Sequence, residues 1–172
     1  MEKEKFYIFL DIDGVLWDFG HLINALNKQI PYKNTAVKYF KKESMDALNF
    51  LIENLQNVYD VELVITSTWR KNMKLVEKVL TKNKLAYNKP LQRTEITSHS
   101  IRGQEIENFL KDKPNKENIV IIDDVTKDIF AFFSMKNIIK TSLVKALNKK
   151  QIENFFKYNN IKIFEKEQEM QQ

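Results

Sequence analysis

Apolar residues fall along this chain in two alternating rhythms. Phe6-Tyr7-Ile8-Phe9-Leu10 is an apolar run rich in aromatic side chains, the pattern of a strand buried on both faces. Val61 to Ile65 is a second such run and Ile119-Val120-Ile121-Ile122 a third, with Asn137-Ile138-Ile139-Lys140 a weaker fourth. Between them the spacing turns helical. Met45, Leu48, Leu51, Ile52 and Leu55 recur at three- and four-residue steps, as do Met73, Val76, Val79 and Leu80, then Ile106, Phe109 and Leu110. A last helix is expected around Lys149 to Tyr158. Strands alternating with helices in this way predict an α/β fold, a Rossmann-like parallel sheet with flanking helices. A site on such a sheet belongs beyond the carboxyl ends of the strands, at the point where strand order reverses.

The pattern predicts a single domain over residues 1–164. A small cap-like insert is expected at about 16–43, with helical pieces at Leu22 to Gln29 and Ala36 to Lys41 on either side of Pro31. The polar residues 165–172 read as a frayed tail. Composition narrows the chemistry. The 172 residues include no cysteine and only two histidines, which excludes disulfides, thiolate catalysis, cysteine zinc sites and multi-histidine metal centres. Gly14, Gly20 and Gly103 are the only glycines, too few for a Gly-rich phosphate loop. No apolar run approaches the roughly 20 residues of a membrane span, and no secretory leader is visible, so a cytoplasmic protein without membrane contact is expected.

Each apolar strand ends in polar residues that a core would not select. The first runs into Asp11-Ile12-Asp13-Gly14, the second into Thr66-Ser67-Thr68, the third into Asp123-Asp124. In a parallel sheet these ends share one edge, so four carboxylates converge beside a group of hydroxyls. Like charges brought together out of water repel, and burial disfavours their ionisation. A divalent cation relieves both, and oxygen-only ligands suit Mg²⁺. The formal net charge is +5 despite this acidic cluster, so the rest of the chain is basic and suits an anionic partner.

These residues carry a family resemblance. FLDIDGVL, then VITSTWR, an RGQEI segment and IVIIDD, in that order, resemble the haloacid dehalogenase (HAD) superfamily of phosphatases over roughly residues 5 to 142. The resemblance implies that Asp11 attacks phosphorus and becomes phosphorylated, and that Asp13 protonates the leaving oxygen and later activates water. It implies a sharp turn at Gly14 and a phosphate oxygen held by Thr66, with Ser67 sharing the duty. A helix from about Arg70 would point its N-terminus at the anion. Arg102 would neutralise the phosphoryl group, where lysine is the commoner residue. Asp123 and Asp124, with Asp11 and the carbonyl of Asp13, would hold Mg²⁺, and Asp128 would be an outer acid. More narrowly, the chain is similar to compact HAD domains of RNA-repair proteins and to 5'(3')-deoxyribonucleotidases. Where the former often carry Gly-Leu after the last strand, this chain has Thr141-Ser142-Leu143-Val144.

Each residue also has a plainer role available. Asp11 and Asp13 could form a turn, Thr66 and Ser67 could cap a helix, and Arg102 could be a surface arginine, with Lys84, Lys89 and Arg93 competing for its place. Trp69 and Arg70 could stack on a base or simply pack. The leading expectation is a Mg²⁺-dependent phosphomonoester hydrolase for a nucleotide or nucleic-acid end phosphate. The rival is a catalytically degenerate module that binds nucleic acid or protein. A receiver-like phospho-acceptor fits less well, since it would place its phosphorylated Asp on the middle strand and a paired acid on the first, whereas here the Asp-x-Asp pair follows the first strand.

Overall fold

The computed structural model describes residues 2–28 and 40–164. In chain order it contains β1 (Lys5–Leu10), α1 (Phe19–Asn27), α2 (Lys42–Val58), β2 (Asp60–Ile65), α3 (Met73–Lys82), β3 (Gln92–Arg93), α4 (Arg102–Leu110), β4 (Ile119–Asp123), β5 (Ile138–Lys140) and α5 (Lys149–Tyr158). The strands form one sheet in the order β3-β2-β1-β4-β5, and every pairing is parallel. The chain moves outward from β1 through β2 to β3, then returns past β1 to build β4 and β5. The order therefore reverses at β1 and β4, which makes their carboxyl ends the switch point of the sheet.

Alternation along β1 divides the core in two. Phe6, Ile8 and Leu10 face Leu48, Leu51, Ile52 and Leu55 of α2, together with residues of α3 and α5. Tyr7 and Phe9 face the other way, against Ile106 and Leu110 of α4 and Ile129. The four α2 residues are wholly buried, each contributing about 1.5–3 kcal/mol relative to an exposed position. α5 starts where its sequence says it should: Asn148 and Gln151 form a reciprocal capping box, which satisfies two otherwise orphaned N–H groups.

Three differences from the sequence-based expectations have physical causes. β3 was not anticipated, because a two-residue edge strand, Gln92–Arg93, carries no apolar run. The α-helix expected from about Arg70 starts later. Thr68–Asn72 forms a short 3-10 helix first, and the Asn72 side chain, accepting the Leu75 N–H, opens α3 at Met73. The helix expected at Leu22 to Gln29 runs instead from Phe19 to Asn27, because Asp18 caps it by accepting the His21 N–H at 2.9 Å.

The stem of the insert is tied together. Lys41 Nζ lies 2.7 Å from Asp18 Oδ2, and the Lys41 N–H reaches the Leu16 carbonyl at 2.7 Å. Most of the piece expected at Ala36 to Lys41, with Pro31 and residues 165–172, falls outside the described residues. Among the described residues no helix is long and apolar enough to cross a membrane.

Candidate active site

Sheet register brings the three strand ends together. Beyond the Leu10↔Ile65 and Leu10↔Ile122 pairs, the Asp11 N–H donates to the Ile122 carbonyl at 3.0 Å and the Thr66 N–H to the Leu10 carbonyl at 2.9 Å. Asp11, Thr66 and Asp123 are thereby held side by side, and all three are buried. One carboxylate oxygen from each of Asp11, Asp123 and Asp124 lies within 4.8 Å of the others.

Arg102 answers part of that charge. Its Nη1 lies 2.6 Å from Asp123 Oδ2 and 3.4 Å from Asp11 Oδ1. Burial by itself would lower the proton affinity of this guanidinium, but Asp123 and Asp11 outweigh it and raise it. The carboxyl of Asp123 is pushed up to about 7, chiefly by burial, with Arg102 pulling it back and the Asp11 charge pushing it further. Burial and then the Asp11 charge also raise Asp124. One guanidinium among these acids leaves a surplus of negative charge in a poorly solvated place, the condition a cation relieves. The all-oxygen donor set of Asp11, Asp123 and Asp124 fits Mg²⁺.

Position, and not residue type alone, selects Arg102 from its competitors. Lys89 pairs with Asp60 at the amino end of β2, the wrong edge of the sheet. Lys84 sits in a left-handed turn after α3, its carbonyl accepting from Asn49. Arg93 is exposed and donates to the Arg70 carbonyl at 3.0 Å. Arg102 opens α4, a helix without a side-chain cap of its own. Asp128 supplies one from across the loop, accepting the Arg102 N–H at 2.6 Å. The expected outer acid therefore acts on the helix end that carries Arg102.

The loop after β2 treats its Thr66 and Ser67 hydroxyls differently. Ser67 Oγ accepts the Trp69 N–H at 3.4 Å, capping the 3-10 helix. Thr66 Oγ1 is buried without a hydrogen-bond partner, an arrangement that native interiors rarely leave unexplained. Arg70, expected at the substrate, lies inside as a support of the loop. Its side chain is 4% exposed, with Nη2 2.5 Å from Glu105 Oε2 and Nη1 donating to the Thr66 carbonyl. Glu105 also accepts the Thr97 N–H at 2.9 Å. This buried pair joins the loop after β2 to α4, one turn from Arg102. Sequence reasoning missed Glu105, although it falls in phase with Ile106 and Phe109 on the packed side of α4, where a charge requires a partner.

Gly14 is required twice. Its φ is +70°, and an added Cβ would stand 2.6 Å from Asp124 Oδ2. Asp13 differs from its neighbours. Its carboxylate is outside the three-acid cluster. Trp17 Nε1 donates to Asp13 Oδ1 at 3.0 Å. Trp69 Nε1 lies 3.2 Å from both Asp13 oxygens. Burial raises the Asp13 carboxyl, the Trp17 N–H opposes that, and the Asp11 charge adds to it. Trp69 is thus placed half-buried, with its N–H edge on a carboxylate and its ring 6.0 Å from that of Phe40.

Comparison with curated proteins and with solved structures finds no match. A family model described as the HAD domain in Swiss Army Knife RNA repair proteins matches residues 7–152. That span runs from β1 into α5 and includes every residue placed at the site above. The chain therefore belongs to the HAD domains of Swiss Army Knife RNA repair proteins.

Proposed function

We propose that the protein is a Mg²⁺-dependent phosphomonoester hydrolase working through an aspartyl-phosphate on Asp11. The observation that carries this reading is the meeting of the Asp11, Asp123 and Asp124 carboxylates with the buried, unpartnered Thr66 hydroxyl at one strand edge. A Mg²⁺ ion held by those three carboxylates and the Asp13 carbonyl would supply positive charge to align and neutralise a phosphate dianion.

In the first step an Asp11 oxygen bonds to phosphorus while the ester P–O bond breaks. The proton carried by Asp13 passes to the leaving oxygen. In the second, water attacks the phosphorus and gives a proton to Asp13. The bond to Asp11 breaks, releasing inorganic phosphate and restoring the carboxylate. Arg102, already beside Asp11, offsets charge on the phosphoryl oxygens as they move toward the trigonal transition state. Thr66 donates its hydroxyl to one of those oxygens, and Gly14 leaves room beside Asp124.

The substrate in this reading is a nucleotide or the phosphorylated end of a nucleic acid. The basic remainder of the chain and the RNA-repair context of the family support it. The test is a hydrolysis screen with Mg²⁺ or EDTA over nucleoside 5'- and 3'-monophosphates, end-phosphorylated oligonucleotides and sugar phosphates. Mg²⁺-dependent release from the first two groups, abolished by Asp11→Asn, is expected. Asp11→Asn protein as active as wild type would overturn the mechanism, and activity on sugar phosphates alone would overturn the substrate class. Inert wild-type protein that binds nucleic acid steeply with salt but indifferently to EDTA would identify the degenerate binding module instead.

A further inference from the structure

The chain has two tryptophans, and both indole N–H groups end on the carboxylate of Asp13. They arrive from separate elements. Trp17 belongs to the turn after β1, where it forms an isolated bridge with Asp13 itself. Trp69 belongs to the 3-10 helix after β2. Each ring is anchored: Trp69 lies against Phe40, Trp17 against Phe19, and both pack on the larger core cluster.

The choice of donor matters chemically. An indole N–H donates one hydrogen bond, cannot ionise and cannot accept. It can therefore fix the direction of a carboxylate without cancelling its charge or supplying a rival proton. Arg102 does the opposite to Asp11 and Asp123, which it neutralises as ion pairs. Among the described residues no ion pair reaches Asp13. The two donors also treat its oxygens unequally. Oδ1 receives Trp17 at 3.0 Å and a share of Trp69, whereas Oδ2 receives only the other share, at 3.2 Å.

We propose that Trp17 and Trp69 are positioning residues that lock the Asp13 carboxylate so that Oδ2 is the oxygen exchanging the proton with the leaving group. This rests on the reading of Asp13 as the acid of a phosphomonoester hydrolase. Losing the lock harms a substrate in proportion to its need for that proton. p-Nitrophenolate leaves readily without one, while an alkoxide does not.

The test compares kcat/KM, which extends only to the first irreversible step, for p-nitrophenyl phosphate and for an alkyl phosphate. Trp17→Phe, Trp69→Phe and the double variant keep a ring in place but remove the donor. General acid catalysis contributes about 10²–10⁴-fold, so a misdirected acid should lower kcat/KM on the alkyl ester by about 10-fold or more. On p-nitrophenyl phosphate the fall should stay within about 3-fold, and KM should hold on both. In an Asp13→Ala background, adding Trp69→Phe should produce no further discrimination between the substrates. A readout independent of turnover comes from NMR: both indole ¹H–¹⁵N peaks of the wild type should move in Asp13→Ala protein. Equal losses on the two esters, discrimination that persists without Asp13, or indole peaks indifferent to its removal would overturn the proposal alone. Wild-type protein inert toward both esters would overturn the phosphatase reading and this inference with it.

Discussion

Replacing Glu105 by Ala removes one partner from a buried ion pair and leaves the other in place. The Arg70 side chain is 4% exposed and that of Glu105 1%, so water can reach neither charge. In the variant, Arg70 keeps its bond to the Thr66 carbonyl, but its charge is uncompensated, and its Nε already has no partner. The Thr97 N–H also loses its acceptor. Breaking a buried pair from one side costs about 3–5 kcal/mol, out of a total stability of about 5–15 kcal/mol for a domain. At about 2–4 °C per kcal/mol for a chain of this size, the melting temperature should fall by about 6–20 °C. Urea unfolding monitored by circular dichroism, with the midpoint and slope fitted separately, measures this directly. The double variant Arg70→Met, Glu105→Leu provides the decisive comparison. With both charges gone, most of the lost stability should return, since apolar replacement of a whole buried pair is often neutral. A Glu105→Ala loss under about 1 kcal/mol, within the range of an exposed pair, would refute the argument. So would a double variant no more stable than the single.

Gly14→Ala should combine the roughly 1–2 kcal/mol strain of a left-handed backbone with displacement of Asp124, whose Oδ2 would lie 2.6 Å from the new Cβ. We expect Mg²⁺ affinity to weaken about 10–100-fold, measured by calorimetry, and unchanged affinity would contradict the role given to Asp124. Mg²⁺ itself should raise the unfolding free energy of wild type, by about 2.7 kcal/mol at 100 times its Kd, and EDTA should reverse this. Asp124→Asn should abolish most of that increment, and an increment equal to wild type would remove Asp124 from the ligand set. At Asp18, burial acts to raise the carboxyl, but Lys41 and the His21 and Ala146 N–H groups outweigh it and hold it below its ordinary value. The folded state therefore binds this proton less readily than the unfolded chain, whose value is near 3.9. The resulting stabilisation is present above that pH and fades as the pH falls through the lower, folded value. Asp18→Ala should then cost about 0.5–2 kcal/mol at neutral pH, a difference that narrows on acid titration; a gap widening toward acid would show the sign to be wrong.

Much of the site was readable because it lies where an apolar strand stops. Asp11, Thr66 and Asp123 each follow a buried run, and a parallel sheet brings such ends to one edge whatever the intervening chain does. Arg102 was harder to assign. Among its competitors, Lys89 lies at the opposite edge of the sheet and Lys84 in the turn after α3, while Arg93 shares the carboxyl edge but is exposed and donates to the Arg70 carbonyl, properties of three-dimensional path and not of residue type. Least visible were the supports. Arg70 and Glu105 lie 35 residues apart, and no periodicity links them. Trp17 and Trp69, 17 and 69 residues along the chain, meet only because β1 and β2 are neighbours. The 3-10 turn escaped notice for a local reason: Thr68-Trp69-Arg70-Lys71-Asn72 has no apolar rhythm of any period.

The outline of the sheet bears on how the protein keeps to itself. Its long strands, β1, β2 and β4, are interior, each with a neighbour on both sides. The borders are β3, of two residues, and β5, of three. A short border offers few free N–H and C=O groups to a foreign strand, and Arg93 and Lys140 place positive charge on these two. Edge-to-edge growth into larger aggregates is thus opposed at both borders.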